Sequence, residues 1–248
     1  MRDTEASLKQ YYAARAREYE GIYTKPERQA DLRRLEALVP PLFTDRRVLE
    51  VACGTGYWTQ FLAREARNIV AVDANPETLE VAAEKVWAPG RVNFKPADAY
   101  ALGRELGMFD AAFAGFWWSH VPVGERSRFL ISLERRLVPG ARVVLLDNLF
   151  VEGNSTPISH RDKEGNTYQR RRLNDGSEHT VLKNYPTESE LNHDVSRYGD
   201  NTRFLVLEYY WLFSFEKVVT GTCEPERSGA GTFIISPSGG TITEGNLR

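Results

Sequence analysis

The feature that most constrains the fold of this chain is residues 46–63, RRVLEVACGTGYWTQFLA. An apolar run typical of a buried strand ends at Gly54 and Gly56, and a helical pattern of apolar residues follows. Glycines at such a junction let the backbone turn sharply and let a ligand approach the start of the helix. In an α/β sheet, ligands bind at the carboxyl ends of the strands. The segment therefore predicts a strand–turn–helix unit that can hold a ligand.

The same alternation continues along the chain and predicts a doubly wound α/β sheet. Further strand patterns are NIVAVD, RVNFKPAD, MFDAAFAGF and ARVVLLDNL. Helical patterns separate them over residues 57–64, 76–86 and 125–137. Short apolar strands with helices between them are typical of a parallel sheet covered on both faces. Two helical patterns precede this region, an amphipathic one over residues 4–20 and a second over residues 27–38.

The remainder of the chain predicts an insertion and the end of the sheet. Within residues 151–186, YQRRRLNDGSEHTVL predicts two strands joined by an Asp-Gly turn. A helix follows, with Thr187 and Glu190 as a capping box and Gly199 as its C-terminal cap. TRFLVLEYYWLFSFEKV is too long for one ordinary strand, so we expect two strands with a reversal near Glu208.

Composition excludes several classes of protein. A chain of 248 residues, 42% of them hydrophobic, can bury a sizeable core. Its net charge is −2 with the basic residues spread out, which argues against a nucleic-acid partner. No apolar run approaches a membrane span, and MRDTEASLKQYY is too charged for the apolar region of a signal peptide. Cys53 and Cys223 provide neither a disulfide framework nor metal-site spacing. We expect a cytoplasmic monomer or homodimer without a metal or membrane partner.

Three acidic residues lie at the ends of three successive predicted strands: Glu50, Asp73 and Asp98. A dinucleotide fingerprint, G-x-G-x-x-G, would require a third glycine where this chain has Thr59. A carboxylate at the end of the second strand can accept hydrogen bonds from both hydroxyls of a ribose. Three acids at this edge therefore suit a cationic nucleoside better than an anionic pyrophosphate.

Five segments, VLEVACGTG, VAVDANPETL, FKPADA, FDAAFAGF and LVPGARVVLLD, resemble the successive motifs of class I S-adenosylmethionine-dependent methyltransferases. The resemblance covers residues 46–148 and extends more weakly over the N-terminal helix and the final strands. It implies a Rossmann-like sheet of seven strands, the last antiparallel, and S-adenosyl-L-methionine as cofactor. In one departure, Ala52 stands where the family usually has the first glycine of its motif.

The resemblance also implies a role for each matching residue. Glu50 would stand near the methionine amino group, and Asp73 would bind the ribose hydroxyls. Gly54 and Gly56 would let the cofactor lie across the turn. The other implied cofactor contacts are Asp98 and Ala99 beside the adenine, Gly115 and Phe116 beside the methionine, and Ala52, Ala74 and Tyr19. Cys53 is expected to fill space in the turn rather than act as a nucleophile.

Methyl transfer from a sulfonium requires alignment and exclusion of water, and a base only where the acceptor must lose a proton. GFWWSHVP lies just past the fourth strand, where the acceptor should arrive. We expect Trp117 and Trp118 to contact the acceptor, with core packing as the alternative for each. His120 is the candidate base, with a turn-capping histidine as its alternative. GFWW differs from the Asn/Asp-Pro-Pro-aromatic motif of methyltransferases that act on adenine or glutamine amides, so nucleic acid is not the expected acceptor.

Two segments are expected to close the site. Residues 1–45 would form a lid whose Tyr11 and Tyr12 bind the acceptor, although a helix simply packed on the domain fits equally well. In the insertion, alternation puts Arg170 and Arg172 on one strand face and Arg171 on the other. We expect the first pair to bind a carboxylate, the alternative being a solvated hairpin. The remaining histidines are expected at the surface: His160, His179 and His193.

The sequence therefore predicts an enzyme that transfers a methyl group from S-adenosylmethionine to oxygen or nitrogen of a small molecule, acidic if an arginine binds it. Residues 46–150 would form the cofactor-binding core, residues 187–219 would complete the sheet, and residues 220–248 would be a flexible tail. Two alternatives remain open: a nicotinamide-dependent oxidoreductase, and a non-catalytic regulator that binds the cofactor.

Overall fold

The computed structural model describes residues 10–13 and 15–218, and the predicted tail lies outside these residues. Within them, seven strands form the main sheet in the order β3-β2-β1-β4-β5-β10-β9. Their bounds are β1 Arg47–Val51, β2 Asn68–Asp73, β3 Val92–Pro96, β4 Phe109–Gly115, β5 Leu137–Asn148, β9 Gly199–Val206 and β10 Tyr210–Lys217. Strands β1 to β5 pair in parallel, and β10 is antiparallel to both of its neighbours. This is the predicted sheet, with its reversal at residues 207–209.

From residue 25 to residue 218, five α-helices surround the sheet: α1 Gln29–Leu38, α2 Tyr57–Glu65, α3 Pro76–Ala83, α4 Arg126–Glu134 and α5 Glu188–Val195. Neighbouring residues of one strand pack on opposite faces. Val48 belongs to one hydrophobic cluster and Leu49 to the other. The same division separates Trp211 from Leu212 on β10. The sheet is therefore covered on both faces, which explains why its strands have such continuous apolar sequences.

The N-terminal helix differs from the prediction. Residues 10–13 and 15 are α-helical, whereas Ala16–Thr24 is a 3₁₀ helix, and the rest of the predicted helix lies outside the described residues. Two further predictions for helix ends are wrong. Helix α3 stops at Ala83, because the chain folds back there and the Trp87 indole donates to the carbonyl of Ala82 (2.9 Å). Gly199 does not cap α5; it begins β9 opposite Lys217.

The insertion is a separate antiparallel sheet of three strands instead of the predicted two: β6 Ile158–Arg161, β7 Thr167–Arg172 and β8 Glu178–Leu182. All four residues of β6 are exposed, so the strand has no alternating apolar pattern that could have predicted it. Main-chain pairing with β7 holds it in place. The predicted strands β7 and β8 are confirmed.

The capping box of α5 provides a test of local stability. Thr187 Oγ1 accepts a hydrogen bond from Glu190 N (3.3 Å), and Glu190 Oε2 accepts from Thr187 N (2.7 Å). Replacing Thr187 by alanine should lower the free energy of unfolding by about 1 kcal/mol, because a main-chain donor at the helix start loses its partner. Chemical denaturation measures this loss. Thr187→Ser, which keeps the hydroxyl, should retain most of the stability; equal losses in the two variants would contradict the capping argument.

Candidate functional site

The predicted acids meet at the carboxyl edge of the sheet. Glu50 on β1 is paired with Ala71 on β2, and Asp73 ends β2 opposite Pro96 of β3. Asp98 follows two residues after the end of β3. Parallel pairing of adjacent strands thus brings these three acids, distant in sequence, to one side of the molecule.

The glycine turn between β1 and α2 has a left-handed backbone. Gly54 has φ +55° and Gly56 has φ +75°, and Gly56 is the N-cap of α2. A Cβ on Gly56 would lie 3.3 Å from Ala82 Cβ, so glycine also permits the close approach of α3. Ala52 has φ +55° as well. A left-handed alanine costs about 1–2 kcal/mol, which is the physical reason a glycine fits this position better.

Asp73 is fixed by the turn it faces. Its Oδ2 accepts a hydrogen bond from Gly54 N (2.9 Å) and its Oδ1 accepts from Asn75 N (2.9 Å). Burial raises the pKa of the Asp73 carboxyl, and the hydrogen bonds from these two amides oppose that shift. A carboxylate held in this way has lone pairs left for further donors, as binding of a ribose requires.

Glu50 is buried with an unused hydrogen-bonding atom. Its side chain is 1% exposed, and Oε2 has no partner among the described residues. Burial raises the pKa of Glu50 to about 8, and the Thr59 hydroxyl and Lys85 ammonium oppose the shift. Thr59, which breaks the dinucleotide fingerprint, therefore lies beside the acid. A cationic group would both pair with this carboxylate and satisfy its free oxygen.

The other predicted cofactor residues line the same edge with different exposure. Asp98 is exposed and accepts from Tyr100 N (2.8 Å), whereas Ala99 is buried and Ala74 is exposed. Gly115 ends β4, and Phe116 after it has φ +59°, unusual for a bulky residue. Local strain of this kind is concentrated at functional sites. Cys53 is buried in the turn, and burial raises the pKa of its thiol, in keeping with a space-filling role.

A cavity of about 520 Å³ lies beside Phe116, between the N-terminal segment, the core and the insertion. Its charged lining residues are Arg15, Glu18, Lys25, Arg28, Arg170, Arg171, Arg172 and Lys183. Seven of these eight residues are cationic. The volume is that of a small-molecule site, and the charge favours an anion.

His120 lies in this cavity on the 3₁₀ turn Trp118–His120. Its Nδ1 is 2.6 Å from the carbonyl oxygen of Leu182, which can only accept, so Nδ1 carries the proton. Its Nε2 is 2.8 Å from the Tyr12 hydroxyl and accepts from it. Burial, with Lys183 and Arg171 nearby, lowers the pKa of His120 well below 6.5. The imidazole is therefore neutral, with its lone pair directed towards Tyr12.

A buried ion pair beside His120 was missed by sequence reasoning. Lys183 Nζ donates to Asp147 Oδ1 (2.7 Å) and to Ser119 Oγ (2.6 Å). Asp147 Oδ2 accepts from Ser119 N (3.0 Å). Lys183 and the other charges nearby lower the pKa of Asp147, while burial lowers that of Lys183. The only sequence signal is Asp147 at the end of a strand, because nothing local links it to a lysine 36 residues later.

Arg171 is the least exposed arginine of β7, whereas the prediction places Arg170 and Arg172 against the acceptor. Alternation holds, but Arg170 and Arg172 are exposed at the cavity mouth. Gln169 is buried on the inner face, and Arg171 donates to its Oε1 from Nη2 (2.8 Å). The packing of β7 against the core determines which of its faces is buried. The sequence of β7 does not indicate that face, because both faces carry polar residues.

Arg28 is a second cavity arginine that the sequence did not indicate. It is 9% exposed, and it donates from Nη1 to Asn148 Oδ1 (2.9 Å) and from Nε to Asn154 Oδ1 (3.1 Å). Its guanidinium also lies 5.7 Å from the ring centre of Tyr210. Arg28 thus joins the N-terminal segment to the end of β5 and to the insertion.

Both tryptophans pack in the core, so the expected acceptor contact is wrong. Trp118 is fully buried, and Trp117 packs against the same cluster beside Tyr100 and Phe129. Neither lines the cavity. His160 and His193 are exposed as predicted, but His179 is half-buried with its ring centre 5.4 Å from that of Tyr11.

The N-terminal tyrosines cover the site. Tyr11 and Tyr12 line the cavity, and Tyr11 Oη accepts from Arg15 Nη1 (2.6 Å). Tyr19 Cε1 lies 3.8 Å from the position a Cβ on Gly54 would take. Glu20 accepts from Thr55 Oγ1 (2.8 Å) and forms an ion pair with Lys85. The 3₁₀ helix therefore rests on the glycine turn.

Residues 10–13 and 15–218 contain neither a membrane-spanning helix nor a metal-binding cluster. No helix there is both long and apolar enough to cross a bilayer. No group of three or more His, Cys, Asp or Glu residues there is arranged to hold a metal ion. The free oxygen of Glu50 and the carboxylate of Asp73, on either side of the glycine turn, fit S-adenosylmethionine, whose amino group and ribose need such partners.

Comparisons with known proteins agree with this geometry. A family described as a methyltransferase domain matches residues 48–140. Demethylmenaquinone methyltransferase from Lactiplantibacillus plantarum is 31% identical over 43% of this chain and 46% of its own length. A tRNA U34 carboxymethyltransferase from Methylococcus capsulatus is 32% identical over 62% of this chain and 48% of its own length. The chain thus spans less than half of each of these curated relatives.

Among solved structures, the DhpI–SAH complex has a TM-score of 0.72 at 24% identity, covering 88% of this chain and 98% of that one. This likeness establishes the fold. The family match and the shared fold confirm the resemblance to methyltransferases that the sequence predicts.

Proposed function

We propose that this protein transfers a methyl group from S-adenosylmethionine to an oxygen or nitrogen atom of a small acidic molecule held in the 520 Å³ cavity. The observation that carries the proposal is the carboxyl edge of the sheet. There the buried Glu50, with an unpartnered oxygen, faces the same turn as the fixed carboxylate of Asp73. Phe116, which follows β4 at that edge, lines the cationic cavity.

In this proposal the cofactor is held at the glycine turn. Glu50 pairs with its ammonium, Asp73 accepts from its ribose, and Asp98 and Ala99 border its adenine. When bound, the cofactor would supply a methyl group on a positively charged sulfur, and the neutral thioether that remains is a good leaving group. The protein aligns the acceptor and excludes water, and both tasks suit an enclosed cavity covered by the N-terminal segment.

The acceptor is proposed to be an anion because of two cavity arginines, the buried Arg28 and the half-buried Arg171. Arg28 donates to Asn148 and Asn154 and contacts the Tyr210 hydroxyl, whereas Arg171 donates to Gln169 and contacts the Tyr11 hydroxyl. Among the described residues neither arginine has a carboxylate within 4.0 Å. Burying a guanidinium without an anion is unfavourable, and an oxyanion would relieve it with paired hydrogen bonds. The relative named for tRNA makes nucleic acid the competing acceptor class. A cavity of this size favours a small molecule.

His120 is proposed to act only if the acceptor is a protonated hydroxyl or amine. Its neutral Nε2 already accepts from the Tyr12 hydroxyl, whose pKa burial raises to about 12. The pair can take up a proton from an acceptor that displaces Tyr12. An ionised oxygen would need no base, and His120 would then orient Tyr12.

The first prediction concerns cofactor binding. Replacing Asp73 by asparagine should weaken binding of S-adenosylhomocysteine by about tenfold or more, because charge-assisted hydrogen bonds to the ribose are lost. Isothermal titration calorimetry measures the change, and Asp200→Asn on the exposed edge strand β9 serves as the matched control. NADH is titrated in parallel. Binding of NADH without binding of S-adenosylhomocysteine would support the oxidoreductase alternative and contradict the proposed function.

The second prediction follows from the pKa of Glu50, about 8 in the ligand-free protein. The cofactor ammonium favours the ionised carboxylate, so binding below that pH must release a proton. Affinity for S-adenosylhomocysteine should therefore rise as the pH increases towards about 8, and Glu50→Gln should remove most of this dependence. Calorimetry in buffers of different ionisation enthalpy counts the protons released. No proton release at neutral pH would contradict the role of Glu50.

Stability of the ligand-free protein provides the control for that variant. The folded pKa of Glu50 lies above its ordinary value near 4.5, so the folded state holds a proton that the unfolded chain releases. The contribution of Glu50 to stability is therefore present at low pH and is lost as the pH rises from about 4.5 through about 8. Glu50→Gln should become increasingly stable relative to the wild type over this window, as thermal melting can measure.

A further inference from the structure

We propose that the acceptor cavity selects a dianion, and that the methylated product leaves because it has lost one of its two charges. The inference rests on the proposed function and specifies its substrate class. Its basis is the charge of the inner cavity wall, where Arg28, Arg171 and Lys183 line one space.

The inner wall contains two positive charges that the protein does not neutralise. Asp147, fully buried, compensates Lys183 at 2.7 Å. Arg28 is buried and Arg171 half-buried, and both bind neutral amide oxygens. Three cations and one carboxylate leave a formal charge of +2. The three cations act on one another, since Arg171 and Arg28 both lower the pKa of Lys183.

No other group that lines the inner wall offsets this charge. Glu27 interacts with Arg28 from outside the cavity, but it is exposed, where water and salt screen it. His120 is neutral, and burial keeps the hydroxyls of Tyr12 and Tyr185 protonated by raising their pKa values. Arg15 and Glu18, both on the N-terminal segment, cancel formally at the mouth of the cavity. The remaining lining cations, Lys25, Arg170 and Arg172, are exposed, where water and salt screen them.

The same wall has free donors for a ligand. A lysine ammonium has three N–H groups, of which Asp147 and Ser119 use two. A guanidinium has five, and the hydrogen bonds of Arg171 to Gln169 involve only its Nε and one terminal nitrogen. A doubly charged oxyanion, or two carboxylates on a short chain, could accept from these donors.

Methylation changes the charge balance in this wall. An ionised oxygen of the acceptor uses a lone pair to form the new O–C bond, and the cofactor sulfur keeps the electron pair of the broken S–C bond. No proton moves. The acceptor changes from a charge of −2 to −1, while the cofactor loses its positive charge. The substrate matches the charge of the wall and the monoester does not, so the reaction itself weakens the attraction that held the acceptor.

The test compares dianions with their monomethyl esters on the protein loaded with S-adenosylhomocysteine. Malonate, succinate and glutarate represent two carboxylates, and ethyl phosphate represents one doubly charged group. We expect at least one of these dianions to bind about tenfold or more tightly than its monomethyl ester, by calorimetry at neutral to mildly alkaline pH. If the dicarboxylates bind more tightly than their monomethyl esters, the wall binds two carboxylates. If only ethyl phosphate binds more tightly than its monomethyl ester, the wall binds one doubly charged group.

Arg171→Gln should bring the affinities of the dianion and its ester close together. Arg28→Gln is the second variant, in case Arg171→Gln disturbs the fold by removing the contact of Arg171 with the Tyr11 ring. Arg135→Gln, which removes an exposed cation after the end of α4, should leave the preference unchanged. Equal affinity for dianion and ester, or no binding of any dianion at millimolar concentration, would overturn the inference. Repeating the titrations without S-adenosylhomocysteine separates the outcomes, because failure of that ligand alone counts against the proposed function only.

Discussion

The ion pair between Lys183 and Asp147 is the interaction on which the site depends. It joins the end of β5 to the residue that follows β8, and Ser119 after β4 is bonded to both partners. The backbone extends the same junction: Asn184 N donates to the Ser119 carbonyl (2.7 Å), and Lys183 N donates to that of Thr167 (2.8 Å). The insertion is thereby fastened to the sheet edge, and the cavity exists because of that attachment. Removing one partner would leave the other as a buried, unpaired charge, among the costliest changes a protein interior can undergo.

The sheet and its ligand edge could be predicted because both are encoded locally. Alternating apolar segments specify strands β1 to β5, and the acids Glu50 and Asp73 stand at strand ends whatever the tertiary details are. Thr187 and Glu190 likewise form a cap within four residues of sequence. Such signals depend only on residues that are close in sequence, so they can be interpreted without knowledge of the fold.

The acceptor side could not be predicted because it is assembled from distant polar residues. Arg28, Arg171 and Lys183 come from three segments, and no periodicity relates them. Which face of β7 is buried depends on the side that the insertion turns towards the core. A strand with polar residues on both faces does not indicate that side. The prediction for Trp117 and Trp118 used only their position after β4, which suggested the pocket. In the structure these large apolar side chains pack in or against the core.

The 3₁₀ segment Ala16–Thr24 has a kinetic consequence. Tyr19 lies over Gly54, and Glu20 is bonded to both Thr55 and Lys85, so the segment rests on the surface that a cofactor must cross. A cofactor bound as proposed could therefore enter or leave the glycine turn only when these contacts break, a requirement separate from how well its atoms fit.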